Sequence, residues 1–252
     1  MKHEPELVIA EGDNVDAAVR KLSRRGFVGF GLAAAAGLGA YKWLRSRPAD
    51  EGLASPFRRA LLANETLARA YYSPSRMSPT FRPADVKGSR VNGQLGLAPA
   101  LDSEAWRLHI AGAASPVALT LDAIRALPVH EMVTELRCIE GWSILVQWRG
   151  ARLRDLMERY PPPQPVRYLA METPDRGYYV GLDIESALHP QSLLVYEMNG
   201  APLNLAHGAP LRLAIPIKYG IKNIKRIGTI RYTDVRPADF WAERGYDWYA
   251  GH

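Results

Sequence analysis

From residue 129 to residue 138 polar and apolar side chains alternate, with His130, Met132, Thr134, Leu136 and Cys138 on one face and Val129, Glu131, Val133, Glu135 and Arg137 on the other. A period of two marks a strand, since successive side chains point to opposite faces. Glu140-Gly141 breaks the pattern, and Trp142, Ile144, Val146 and Trp148 resume it against Ser143, Leu145 and Gln147. Two strands joined by a turn are predicted, with Cys138 at a strand end, where rigid scaffolds commonly present functional groups. Strands are also predicted over residues 106–110, 166–171, 193–198, 211–215 and 224–232, and Asn199-Gly200 signals a tight turn after the third of these.

Helical spacing runs over residues 57–72, with Phe57, Leu61, Ala68 and Tyr72 near one stripe. Thr120 is placed to cap a short helix that Pro128 stops. Leu153, Leu156, Met157 and Tyr160 mark another, ended by Pro161-Pro162-Pro163, which removes donors and fixes φ. Many short elements, with no regular exchange of strand and helix, predict an α+β fold with mixed β-sheets rather than a wound parallel sheet.

The N-terminus has a different character. Ser23-Arg24-Arg25-Gly26-Phe27-Val28 has the form of a twin-arginine export signal, followed by an uncharged stretch over residues 26–41. Its 16 residues fall short of the roughly 20 that span a bilayer. That export route carries folded proteins, so the signal points indirectly to a cofactor bound before export. No Ala-x-Ala follows the stretch directly, and Gly52-Leu53-Ala54 is a weaker cleavage candidate. Residues 1–54 are therefore expected to be either a cleaved signal peptide or a retained anchor with linker, with residues 26–44 at the membrane and Trp43 and the following arginines at its interface. Residues 55–252 suit one domain with a sizeable core.

The formal charge of +6 adds little, because Arg20, Lys21, Arg24, Arg25, Lys42, Arg45 and Arg47 lie in the leading segment; no nucleic-acid role follows. Lys218, Lys222, Lys225 and Arg226 form a second cluster, suited to a solvated strand face or to an anionic cofactor. Cys138 is the single cysteine of 252 residues, which excludes an internal disulfide and leaves an inert thiol, a redox nucleophile or a soft metal ligand. His3, His109, His130, His189, His207 and His252 show no paired ligand spacing for zinc. Tyr178, Tyr179, Tyr219, Tyr246 and the C-terminal aromatics suit the core, with Tyr219 the candidate for the substrate mouth and a catalytic role.

Three motifs then occur in order: Arg137-Cys138-Ile139-Glu140-Gly141-Trp142-Ser143, Tyr196-Glu197-Met198-Asn199-Gly200, and His207-Gly208-Ala209-Pro210-Leu211-Arg212-Leu213 with Pro216, Tyr219-Gly220 and Lys222 following. Together they resemble the sulfite oxidase fold of molybdopterin-dependent oxidoreductases, in its bacterial branch with the catalytic subunit of the periplasmic protein-methionine-sulfoxide reductase. The resemblance implies a molybdenum-molybdopterin cofactor with the Cys138 thiolate on the metal. It assigns Arg212, Asn92, Thr173 and the loop Asn223-Ile224-Lys225 to the pterin, with Arg and Lys suited to its phosphate. It assigns His207 to a position that is asparagine in the reductase.

The resemblance implies oxygen-atom transfer, in the periplasm, with reduction of a sulfoxide or related S- or N-oxide preferred. Sulfite oxidation is the alternative. A dianion wants several convergent cations, and only Arg149, Arg152 and Arg176 stand near Cys138 in sequence, without the basic stretch of the sulfite oxidases. There is no Cys-x-x-Cys-His and no second cysteine, so electrons are expected from a cytochrome partner, beside which an inner-membrane anchor would hold the chain. An exported binding or assembly protein that lost the metal is the reading of another class.

Overall fold

The computed structural model describes residues 12–50, 52–98 and 101–252, with the backbone alone for 12–20 and 22. His3 and residues 1–11 of the expected leading segment lie outside the described residues. Two compact units emerge, whose described residues are 12–49 with 54–56, and 50, 52–53, 57–98 and 101–252.

In the first unit Gly12–Arg45 forms one helix, α1. Its Ser23–Arg45 part is long and apolar enough to cross a membrane, a test that signal sequences also pass. The span exceeds the predicted 26–41 because Lys42 and Arg45 fall in the last turn, where cations meet the negative end of the helix dipole rather than ending the helix.

The second unit is built on two five-stranded sheets. In chain order its elements are α2 (Ser55–Tyr71), β1 (Leu108–Ala111), β2 (Val117–Leu119), α3 (Leu121–Arg125), β3 (Val129–Arg137), β4 (Ser143–Arg152), α4 (Leu153–Arg159), β5 (Tyr168–Glu172), β6 (Tyr179–Asp183), α5 (Ile184–Ala187), β7 (Leu193–Met198), β8 (Ala201–Pro202), β9 (Arg212–Ala214) and β10 (Thr229–Thr233). One sheet runs β8-β7-β4-β3 with β9 also on β7, and the other runs β2-β1-β10-β5-β6. Pairing is antiparallel except where β10 lies parallel to β1, with Ile230 opposite Ile110.

Period-two patterning sorts the side chains of β7. Leu194 and Tyr196 enter a core that also takes Leu108, Ile110, Leu169, Met171 and Ile230 from the other sheet, so that core lies between the sheets. Leu193 and Val195 join a smaller cluster with Val146, Trp148, Leu203 and Ala214. The register of β4 shifts between Arg149 and Gly150, and the backbone of Leu194 and Val195 passes so close to Gly150 that a Cβ there would collide with it. Thr120 caps α3 by accepting from Ala123 N.

Three expectations are corrected. Residues 224–232 are not one strand, since only β10 extends and Ile224, Ile227 and Ile230 recur every third residue. The Ile224 carbonyl accepts from Leu213 N, while Arg226 and Ile227 donate to Gly208 and Leu211, which fixes a loop instead. Phe57 does not lie on a buried stripe of α2 but is half exposed, and the buried residues of that helix are Arg58 and Glu65. Lys218 and Lys222 form no solvated face: both are buried, Lys218 3.5 Å from Asp183 and Lys222 2.5 Å from Asp239.

Candidate active site

The turn after β3 sets the site. Cys138 N donates to Trp142 O at 2.9 Å and Gly141 N to Cys138 O at 3.1 Å, closing a tight loop between β3 and β4. Gly141 has φ +86° there, a conformation that L side chains rarely adopt. The loop presents Cys138 to a cavity of about 290 Å³, whose wall includes Arg90, Asn92, Glu140, Trp142, Arg212, Asn223 and Lys225, with Tyr178, Trp241 and Tyr246 as aromatic lining.

Asn92 Nδ2 donates to Cys138 Sγ at 3.7 Å. Burial pushes the Cys138 thiol above its ordinary pKa, and the neighbouring Glu140 carboxylate adds to the rise while Arg90 opposes it. A metal would supply the deprotonation that the surroundings do not, because coordination holds a thiol as thiolate.

The far wall is cationic. Arg212 projects from β9 with 3% exposure; its Nη1 donates to His207 O at 3.2 Å, its Nη2 to Asn223 O at 3.5 Å, and its guanidinium stacks 4.9 Å from the Trp148 ring. Its Nε is buried with no hydrogen-bond partner. Lys225 Nζ donates to the carbonyls of Asn92, Gly93 and Ala206 at 2.6, 3.1 and 3.2 Å. Neither cation has a carboxylate partner among the described residues. Burial brings Arg212 down to about 10, and burial together with Arg212 brings Lys225 down to about 8. Unmatched buried charge is costly, so an orphaned guanidinium donor beside an ammonium fits a phosphate that accepts from both. The chemistry of these donors therefore fits the cofactor named above.

The predicted residues divide. Asn92, Cys138, Arg212, Asn223 and Lys225 meet at the cavity; Thr173, His207, Tyr219 and Ile224 are not in its wall. Thr173 is buried and works one step back, its Oγ1 accepting from the backbone N of the lining residue Tyr178 at 3.1 Å. His207 contributes the carbonyl that holds Arg212. Ile224 is core, with no exposure. The Tyr219 ring turns to His252, 5.0 Å between centroids, while its carbonyl accepts from Asn223 Nδ2 at 3.2 Å. The mouth aromatics are instead Trp142, Trp241 and Tyr246. Arg149 is taken by Glu197 at 2.8 Å, outside the cavity. Arg90, which sequence reasoning missed, stacks on Trp142 at 4.3 Å; its only signal was its place two residues before Asn92.

Comparison with known proteins adds the context. A family model described as oxidoreductase molybdopterin binding domain matches residues 95–241. The protein-methionine-sulfoxide reductase catalytic subunit MsrP of Xanthomonas campestris pv. campestris is 35% identical over 152 residues, 54% of this chain and 47% of that protein. The subunit of the same name from Campylobacter jejuni subsp. jejuni is 32% identical over 176 residues, 62% of this chain and 59% of that protein. The chain thus spans about half the length of these curated relatives. The sulfane dehydrogenase SoxCD from Paracoccus pantotrophus shares the fold, with a TM-score of 0.52 and 18% identity over 64% of this chain and 49% of that one.

Proposed function

Because the chain belongs to the oxidoreductase molybdopterin binding domain family, we propose that it is a molybdenum-cofactor enzyme that reduces a sulfoxide or a related S- or N-oxide. The observation that carries this reading is one cavity holding the only thiol opposite two cations that lack acidic partners. Cys138 would ligate the metal, with Arg212, Lys225 and Asn223 holding the anionic end of the pterin. The bound cofactor supplies two-electron oxygen-atom chemistry.

The chain's own residues do the rest. Asn92 orients the sulfur of Cys138, and Lys225 holds the loop of Asn92 against the cavity. The aromatic lining excludes water and accepts the apolar arms of a sulfoxide. Beyond Arg212 and Lys225 the cavity offers one cation, Arg90, and one carboxylate, Glu140. A dianion such as sulfite meets no converging positive charge at that rim, which favours the sulfoxide.

In this reading residues 1–54 export the chain folded by the twin-arginine route to the periplasm. Residues 55–252 are the catalytic domain, and Ser23–Arg45 either is removed or remains as an anchor beside a cytochrome in the inner membrane that supplies electrons.

The test is elemental molybdenum and oxidised-pterin fluorescence on protein exported by its own signal, followed by assays of sulfoxide reduction and sulfite oxidation. Near-stoichiometric metal and pterin with sulfoxide turnover is expected. Well-folded protein carrying neither would replace this reading with that of a metal-free binding protein. N-terminal sequencing of the membrane fraction separates anchor from cleaved signal.

A further inference from the structure

The helix α2 is amphipathic in the inverted sense. Its buried face carries charge: Arg58 Nη2 donates to Ala242 O at 2.8 Å, and Glu65 accepts from Arg69 Nε at 2.9 Å and from Arg236 Nη2 at 2.8 Å. The opposite face is apolar and open. Phe57, Leu67 and Tyr71 are 50%, 70% and 64% exposed, and Ala60, Ala63 and Ala70 are exposed between them, a spacing of three and four that forms one stripe. The polar members of the open side are Arg59, Asn64 and Thr66, and the Thr66 hydroxyl already donates to Leu62 O at 2.9 Å. Glu65 is the only acid of the helix and is buried, so the open side carries a cation and no carboxylate. A helix that faces water has the reverse arrangement, because every exposed apolar side chain forgoes about 25 cal/mol for each Å² it could bury.

Two features point to what covers this face. Only residues 46–54 separate α2 from the membrane-length helix Ser23–Arg45, and that segment reaches at most about 30 Å when fully extended. The far end of α2 also has the make-up of a lipid interface. There the exposed Arg76 guanidinium stacks 3.7 Å from the centroid of the exposed Tyr71 ring, with Met77 half exposed beside it. In such a pair the ring can sink toward acyl chains while the guanidinium stays with phosphate. Arg47 and Trp43 form the same kind of pair, 4.5 Å apart, where the membrane-length helix ends. We infer that α2 is an interfacial helix that lies along a phospholipid bilayer, with Phe57, Leu67 and Tyr71 at the acyl boundary and Arg59 and Arg76 among the phosphates. The catalytic domain is then held by a face as well as by a tether, and α2 fixes which side of it turns to the lipid. The inference rests on the membrane placement proposed above and adds the surface that meets the bilayer; it is independent of the cofactor.

Quenching by lipid tests the contact in the full chain. Leu67→Cys, on α2, and Leu205→Cys, at a half-exposed position after β8, each carry an NBD label in vesicles of phosphatidylcholine and phosphatidylglycerol with or without doxyl lipid. Cys138 is buried, and unsubstituted protein taken through the same labelling gives the background. The label at position 67 should shift to the blue and lose emission to the doxyl lipid, and the label at position 205 should do neither. Phe57→Glu together with Tyr71→Glu should abolish the loss at position 67. Equal quenching at the two positions, or none at position 67, overturns the inference. A label at position 67 that is shielded from aqueous iodide yet untouched by doxyl lipid overturns it in favour of a protein partner. A carbonate wash reads the tether separately. Protein that carbonate strips from native membranes, but whose label at position 67 is quenched on vesicles, keeps the α2 contact and loses the anchor. Protein that resists carbonate with an unquenched label keeps the anchor and loses the contact.

Discussion

The Asn92 amide reaches the Cys138 sulfur across 3.7 Å although the residues stand 46 positions apart in the chain. A donor aimed at a sulfur orients it and withdraws electron density from it, as groups behind a metal ligand do. Asn92→Leu is expected to fold and to lower metal retention or turnover by about 10- to 100-fold. Cys138→Ser should lose molybdenum altogether while keeping the wild-type unfolding temperature of the empty protein. Metal analysis beside calorimetric melting checks both, and a Cys138→Ser protein that retains metal would remove the sulfur from the site.

Arg212 carries buried charge for which the protein alone offers two carbonyls and the Trp148 ring. Arg212→Met removes a desolvated cation along with its hydrogen bonds, so the empty protein's melting temperature should move by only a few degrees, an effect within about 1 kcal/mol. Pterin content should fall at least about 10-fold, since a phosphate loses its forked donor. Pterin fluorescence per chain separates the two effects; an unchanged pterin content would mean that the anion is held elsewhere.

Asp239 links core and mouth. Its Oδ2 accepts from Lys222 Nζ at 2.5 Å and from Gly181 N, and its Oδ1 from the backbone of Trp241 and Ala242. Asp239→Ala strands a buried ammonium and should cost about 3–5 kcal/mol in denaturant unfolding, whereas the double change Lys222→Met with Asp239→Asn should recover much of it. Because Trp241 lines the cavity, the single variant should also weaken substrate binding in the fraction that stays folded.

Lys225 gives the site a pH signature. Burial, with repulsion from Arg212, holds it at about 8 in the fold, against 10.5 for a free lysine. Between those values the unfolded chain keeps a proton that the folded chain has released, so the empty protein gains stability as pH rises from about 8 toward 10. Lys218, brought down to about 7 mainly by burial, contributes in the same direction, and His207 is pushed below its ordinary range by burial and the two cations. Subtracting a Lys225→Met variant cancels Lys218, while His207, held below its ordinary value, releases its proton below this pH window. The wild-type minus variant difference in melting temperature should therefore grow between pH 8 and 9.5, and should vanish in cofactor-loaded protein, where the phosphate keeps Lys225 charged.

Residues 129–137, 143–152 and 193–198 were legible as strands because one face of each meets a core and the other does not, which is what period two records. The meeting of Cys138, Arg212 and Lys225 at one cavity was legible through motif order. Tyr219 was not, because a tyrosine between a lysine and a glycine gives no sign of which way its ring turns; here it turns to His252. Arg90 was silent for a related reason: its role comes from Trp142, 52 positions later, and no local pattern encodes a contact of that separation. The basic run misled because burial of Lys218 and Lys222 depends on Asp183 and Asp239, both distant in sequence.

The parallel pairing of β10 with β1 carries a consequence for the order of events in biosynthesis. Thr229 lies beside His109, so the second sheet lacks its middle strand until residues 229–233 have left the ribosome. The thiol-bearing turn, made by neighbouring strands, is complete long before that, and the cationic wall follows only with residues 212–225. Long-range pairing of this kind is slow to form. The thiol-bearing turn and Arg212 nonetheless share the first sheet, since β4 and β9 lie on either side of β7, and that sheet needs no residue of β10. The strand that closes the second sheet, β10 between β1 and β5, therefore completes the core rather than the site, whose thiol and guanidinium already share a sheet.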